Sequence, residues 1–403
     1  MQANWRIGSL FGIPLYIDYS WFLILLLLTS SNATEIDTRG LLEGSPFLTW
    51  VAGLGMAILL FMSVLLHELG HSLVALSQGI SVNSITLFIF GGVASIDKES
   101  KTPKDALLVA IAGPLVSLTL FGLFFALARL FNFSSLLEFL AMDLARINLV
   151  LAIFNLIPGL PLDGGQVLKA IVWKVTGDRL TGVVWAAASG KLIGWAALSI
   201  GLFFVLLTDA LGAVWLVFIG WFILRNAVGY ERLIILQKTL LNLVAADVMT
   251  QEFRVVNANL TLRNFADQYV ISYLNKPVVY FAASEGRYRG LITFNSLQAI
   301  PLEEWDNKTL LNIALPLTTI PSVADKTPLI DVINRLEETK DNSITVLSLA
   351  GAVAGIIDRG DIVQAIATKL NLAIPPTEIK RIKTEGTYPP GLELPTIVRS
   401  ISG

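Results

Sequence analysis

Apolar runs close to the length of a bilayer crossing fill the first 230 or so residues of this 403-residue chain. They constrain its fold more than any other feature. A membrane-spanning helix needs about 20 mostly apolar residues. Six runs approach that length, at residues 18–31, 50–77, 106–131, 140–158, 183–207 and 210–229. The first is short, and the fourth carries Asp143 and Arg146. The N-terminus does not read as a signal peptide. Arg6 is a thin basic region, and Asp18 and Trp21 continue into the first run with no cleavage-site pattern after it. Composition agrees with a membrane protein: 54% of residues are hydrophobic and 15% charged, against about 25% charged in soluble domains. The expected fold is a polytopic α-helical membrane domain of about six transmembrane helices followed by a soluble α/β domain.

Loop charges orient such a chain. Lys98, Lys101 and Lys104 lie between the second and third runs, Lys169, Lys174 and Arg179 between the fourth and fifth, and Arg225 and Arg232 close the sixth. The alternate loops are poor in basic residues. This asymmetry predicts a cytoplasmic N-terminus and a cytoplasmic region after the last span. Bacterial inner membrane and thylakoid-type membrane fit the pattern equally. The net charge of -2 gives no sign of a nucleic-acid partner.

Past residue 238 the composition changes. Short β-branched runs such as Pro277-Val278-Val279-Tyr280 alternate with amphipathic stretches such as Leu329 to Leu336. The segment GLITFNSL at 290–297 returns as GIIDRGDI at 355–362, an offset of 65, which marks an internal repeat. The reading is a membrane domain at 1–236, repeats at 237–302 and 303–370, and an extended tail at 371–403, where Pro-Pro pairs occur at 375–376 and 389–390.

The chain has no cysteine and two histidines, His67 and His71. A metal site must therefore use His, Asp or Glu. Both histidines fall in HELGH at 67–71, inside the second apolar run. Residues four apart share a helix face, about 6 Å apart along the axis, so both imidazoles can reach one ion. Glu68 stands beside them as a candidate general base, and zinc lowers the pKa of a water it binds to about 7. A carboxylate at membrane depth costs at least ~2.5–3.5 kcal/mol, so the group needs a compensating partner. A two-histidine zinc site takes a third protein ligand and keeps one position open. Asp163, in FNLIPGLPLDGGQ at 154–166, is the candidate; Pro158 and Pro161 end the fourth helix just before it. The second and fourth spans run toward the same side with both motifs in their later halves, which predicts similar depth.

These motifs resemble the site-2 protease family of intramembrane zinc metalloproteases. The resemblance covers residues 5–230 through FGIPLYIDYSW, HELGH, FGGVASIDKES, AGPLVSL and FNLIPGLPLDGG, in that order. It implies one zinc on His67, His71 and Asp163, Glu68 as catalytic base, and Asn155 holding the substrate. It also implies a membrane-associated hairpin around Gly91 and Gly92. The substrate would be a transmembrane segment of another protein, cut in regulated intramembrane proteolysis.

The soluble repeat resembles a pair of cystathionine-β-synthase (CBS) domains, a regulatory module. That resemblance implies an adenine nucleotide between the repeats, with Asp361 at the ribose-binding position and Ser296 at its counterpart, and self-association through the pair. Asp361 also suits a helix cap. The alternative function for this layout is a CBS-regulated transporter or channel, which needs neither the glutamate base nor the ligand set.

Overall fold

A computed structural model describes residues 5–42, 45–89, 91–130, 134–207, 211–270, 279–339 and 341–402. The Pro277-Val278 half of the run noted above lies outside the described residues. The chain divides into two compact units, Met1–Ile234 and Ile235–Gly403.

The first unit opens with β1 (Trp5–Leu10) and β2 (Ile13–Ile17), then α1 (Tyr19–Thr38) and α2 (Pro46–Ser77). Asp18 caps α1 by accepting the Ser20 amide at 2.9 Å, and Pro46 opens α2, where its missing N–H costs nothing. β3 (Val82–Phe88) and β4 (Gly91–Ile96) follow. They complete a four-stranded sheet in the order β1-β2-β3-β4, with β2 and β3 parallel and the other pairs antiparallel. Alternating Ile13 and Leu15 of β2 and Ile85 and Leu87 of β3 pack on Val64, Leu65 and Leu69 of α2. The sheet therefore lies against the half of α2 that carries HELGH. Its strands on either side of the first two helices are the part of this unit that hydropathy alone does not predict.

The remaining helices of the unit are α3 (Pro103–Leu130), α4 (Ser135–Asn155), α5 (Asp163–Thr176), α6 (Arg179–Leu207) and most of α7 (Leu211–Asn242). Among the described residues four helices are both long and apolar enough to cross a membrane: α2, α3, α6 and α7. α1 and α4 occupy the other two expected spans. The second half of α1 is polar (Ser-Ser-Asn-Ala-Thr-Glu), and α4 carries Glu138, Asp143 and Arg146. Tertiary contacts still set the course of both. Trp21 at the start of α1 packs on Phe61 in the middle of α2, and Thr29 and Ala33 lie against Gly53, so α1 runs antiparallel along the first half of α2. Glu99, just after β4, pairs with Lys169 of α5 at 3.5 Å and Arg179 of α6 at 2.8 Å. α4 must therefore return the chain to the end where α3 began. At 1.5 Å per residue, helices of 20 and 21 residues span about 30 Å, the thickness of a hydrocarbon core.

The second unit repeats one pattern. After α8 (Ala245–Val248), β5 (Phe253–Asn257) pairs in parallel with β6 (Val279–Ser284), which pairs antiparallel with β7 (Arg287–Ile292). α9 (Leu262–Phe265) lies between the first two strands and α10 (Phe294–Gln298) follows the third. The second copy has β8 (Ser322–Ala324), α11 (Leu329–Thr339), β9 (Ser343–Leu347), β10 (Val353–Asp358) and α12 (Arg359–Lys369), with the same parallel and antiparallel pairings. Leu329, Ile330, Val332, Ile333 and Leu336 form the buried face of α11, as its amphipathic spacing predicts. Phe281, Ile320, Val353 and Ile356 form a core shared by the two copies.

The tail is not extended. It forms α13 (Pro376–Glu385) and α14 (Leu394–Ser402). Leu394 and Val398 are fully buried in the same core as Ile362 and Ile366 of α12. Pro375-Pro376 starts a helix here, with Pro376 at its first position, where proline's fixed φ suits a helix.

Candidate metal centre

α2 presents His67 and His71 on one face, one turn apart and both buried. Asp163, the first residue of α5, meets them from 96 positions away in sequence. Its Oδ2 lies 3.0 Å from His67 Nε2 and 3.2 Å from His71 Nε2, and the two Nε2 atoms are 3.3 Å apart. Among the described residues these three form the one group of His, Cys, Asp or Glu side chains arranged to hold a metal ion.

The chemistry of this donor set fits zinc. Bonds of about 2.0–2.1 Å in a tetrahedron put neighbouring ligand atoms about 3.3–3.4 Å apart, close to the three separations here. The outer ring nitrogens are accounted for. His71 Nδ1 is 2.7 Å from the Val109 carbonyl, which can only accept, so Nδ1 carries the proton. In neutral His71, Nε2 then presents a lone pair. His67 Nδ1 is 2.8 Å from Ser117 Oγ, which can accept in the same way. With Ser117 accepting from His67 Nδ1, two imidazole lone pairs and a carboxylate oxygen would converge, a donor set that suits a cation.

Val109 and Ser117 both belong to α3, as does Gly113 between them. A Cβ on Gly113 would collide with the Nε2 atoms of both histidines. The glycine therefore leaves room where the donors converge. Glu68 points to the other wall. Gly92 of β4 lies so close that a Cβ there would sit 2.5 Å from Glu68 Cγ, and the Ala94 amide lies against the Glu68 carboxylate. Among the described residues β4 is an edge strand of the sheet, paired with β3. The hairpin expected around Gly91 and Gly92 is thus a real β-hairpin packed on the candidate base.

Asn155 is the last residue of α4 and is half-buried. Asp361 belongs to the second unit. The helix N-cap there is Asp358; Asp361 sits three residues later and completes a reciprocal capping box. Its Oδ2 accepts the Asp358 amide at 3.0 Å. Thr293 and Ser296 make the equivalent box in the first copy. The expected capping role is therefore shared, with Asp361 as the partner rather than the cap. Its other oxygen is 2.6 Å from Lys383 Nζ.

Comparison with known proteins gives the family. The sequence model of peptidase family M50 matches residues 55–142 and 131–189. A candidate zinc metalloprotease of Synechocystis sp. is 39% identical over 372 residues, covering 91% of this chain and 97% of the relative. The chain belongs to the M50, or site-2 protease, family. The solved site-2 protease of Methanocaldococcus jannaschii is 31% identical, covers 56% of this chain and 94% of its own, and superposes with a TM-score of 0.40. The CBS domain of a bacterial CNNM/CorC family Mg2+ transporter in complex with ATP is 19% identical, covering 34% of this chain and 96% of its own, with a TM-score of 0.29.

As an M50 family member the chain is a membrane zinc metalloprotease. The family motifs include the supports of the histidines without announcing their role. Ser117 lies in AGPLVSL and Gly113 in the same segment. A serine and a glycine in an apolar helix read as packing residues until the fold brings them to the imidazoles.

Proposed function

We propose that this M50 protease is an intramembrane zinc endopeptidase that cuts transmembrane segments of other membrane proteins. His67, His71 and Asp163 would hold the zinc, Glu68 would act as general base, and Asn155 would hold the unwound substrate. The convergence of three lone-pair donors from α2 and α5 beside Glu68 supports the reading most directly. When bound, zinc supplies Lewis-acid activation of water and of the scissile carbonyl.

The chain's own residues do the rest. Glu68 takes the proton of the attacking water and can return it to the departing amine. A helical substrate hides its peptide bonds because every backbone group is satisfied internally. It must therefore be opened, and the opened strand needs new partners. The edge strand β4 would offer backbone donors and acceptors next to Glu68, and Asn155 would offer an amide where α4 stops. The side chain of Asn155 has no hydrogen-bond partner among the described residues, so it is available.

The test compares wild type, Glu68→Gln and Asn155→Ala in detergent with a model transmembrane peptide. All three should carry about one zinc. Glu68→Gln should lose cleavage by several orders of magnitude, and Asn155→Ala should slow it. Cleavage by Glu68→Gln at the wild-type rate would remove the base from this mechanism, and absence of metal from all three would remove the ligand set.

The second unit serves in this reading as a cytoplasmic CBS-type regulatory pair that responds to an adenine nucleotide and favours self-association. The repeated β-β-β pattern and the resemblance in GLITFNSL and GIIDRGDI support it. Lys-rich loops on one side of the membrane domain support the cytoplasmic placement.

A further inference from the structure

α13 brings Lys383 into a cluster of three carboxylates from two other segments of the second unit, the start of α12 and the loop at Glu252. Its Nζ lies 2.6 Å from Asp361 Oδ1, 3.0 Å from Glu252 Oε2 and 3.7 Å from Asp358 Oδ2. The Asp361 side chain is 1% exposed, so little of it is open to anything but its present neighbours. Those neighbours are Lys383, the capping amide of Asp358 and, at 3.5 Å, the Thr250 hydroxyl. Lys383 hangs from a helix fixed by Ile382, which is fully buried. Three carboxylates around one ammonium leave the cluster negative, so its chemistry suits a cation and repels a polyphosphate placed in the same spot. The other basic residue of α13 with resolved ion pairs, Arg381, bonds only Glu378 and Glu385 of its own helix. Among these contacts, Lys383 alone ties α13 to the acidic site by charge.

We propose that α13 is the resident ligand of the Asp361 site. Lys383 takes the carboxylate that the CBS resemblance assigns to a ribose, and an adenine nucleotide reaches Asp361 only when α13 gives way. The identity of the displacing ligand rests on the nucleotide-sensing reading of the second unit; the occupancy by α13 does not. The chain would thus carry its own competitor for its sensor site, and release of the tail would be the step that a nucleotide controls.

The test uses the full chain in detergent with Lys383→Met, Lys383→Arg, Asp361→Asn and the Lys383→Met/Asp361→Asn double variant. Hydrogen exchange across 376–385 and equilibrium binding of AMP and ATP are measured for each. In Lys383→Met, exchange across 376–385 should rise at least tenfold and AMP should bind at least tenfold more tightly. Lys383→Arg should restore wild-type behaviour, and the double variant should lose the gain in AMP affinity. Unchanged exchange in Lys383→Met would overturn the proposal. So would wild-type chain that binds AMP through Asp361 with 376–385 still protected. Faster exchange with no gain for AMP or ATP would support α13 as occupant and reject the nucleotide-sensing reading.

Discussion

At the scale of single residues, the candidate centre depends on side chains that never touch the reacting atoms. His67 and His71 are each oriented through Nδ1, by Ser117 at 2.8 Å and by the Val109 carbonyl at 2.7 Å. Such outer partners fix the ring tautomer and aim Nε2, and their loss typically costs about 10–100-fold in metal affinity. Ser117→Ala should weaken zinc binding by that order, measured by competition with a chelator, while the fold stays intact because the cavity left is one hydroxyl. A variant that holds zinc as tightly as wild type would show that packing alone aims His67. Much of this centre is legible in the sequence. The spacing of His67 and His71 follows from helix geometry, and the position of Asp163 follows from the order of motifs. Ser117, Val109 and Gly113 are not legible, because they lie 38 to 50 positions from the histidines they support and only the packing of α3 on α2 makes them neighbours.

At the scale of elements, sequence reading succeeds where periodicity decides and fails where tertiary contacts do. α11 follows from its apolar spacing. α13 does not: it is short and half of its residues are charged, and the prolines at its start suggest an extended chain until Ile382 and Lys383 find partners. Its docking should depend on pH. Burial and the neighbouring charge of Asp358 push Asp361 up to about 6, with Lys383 pulling it down. Glu252 and Asp358 face the same ammonium. Undocking removes the Lys383 charge that lowers Asp361 and also part of the cover that raises it; where the ion pair outweighs the cover, docking lowers the pKa. Docking is therefore strongest above that range and weakens as pH falls through about 6. Against the unfolded chain the sign reverses. There Asp361 is raised, so its contribution to global stability is full below the ordinary carboxylate value and is lost as pH rises through about 6. Exchange protection of 376–385, corrected for intrinsic rates, should thus fall between pH 7.5 and pH 5.5, and Asp361→Asn should remove the step. Protection that stays flat in wild type would mean that the apolar contacts of α13 and α14 hold the tail without the ion pair.

At the scale of the whole membrane unit, composition and connectivity answer different questions. Among the described residues four helices pass as spans by length and apolarity, because Glu138, Asp143 and Arg146 lower the apolarity of α4 and polar residues do the same for the second half of α1. Connectivity adds that α4 returns the chain across the unit and that α1 runs antiparallel along the first half of α2. If α4 did not cross, Lys169 and Arg179 would lie at the opposite end from Glu99, yet both pair with it. β2 packs on Val64, Leu65 and Leu69 of α2, and Trp21 at the start of α1 meets Phe61 at that helix's middle. The chain has no cysteine, so single cysteines can be introduced and labelled with a membrane-impermeant maleimide in sealed vesicles. Lys98→Cys and Thr176→Cys should label from one face, the basic one, proposed above as cytoplasmic. Thr38→Cys and Ser135→Cys should label only from the other. Labelling of position 135 together with 98 would leave α4 short of a crossing. Glu99 could then not reach α5 in the membrane as it does here, and Asp163 would lose the connection that brings it level with His67 and His71.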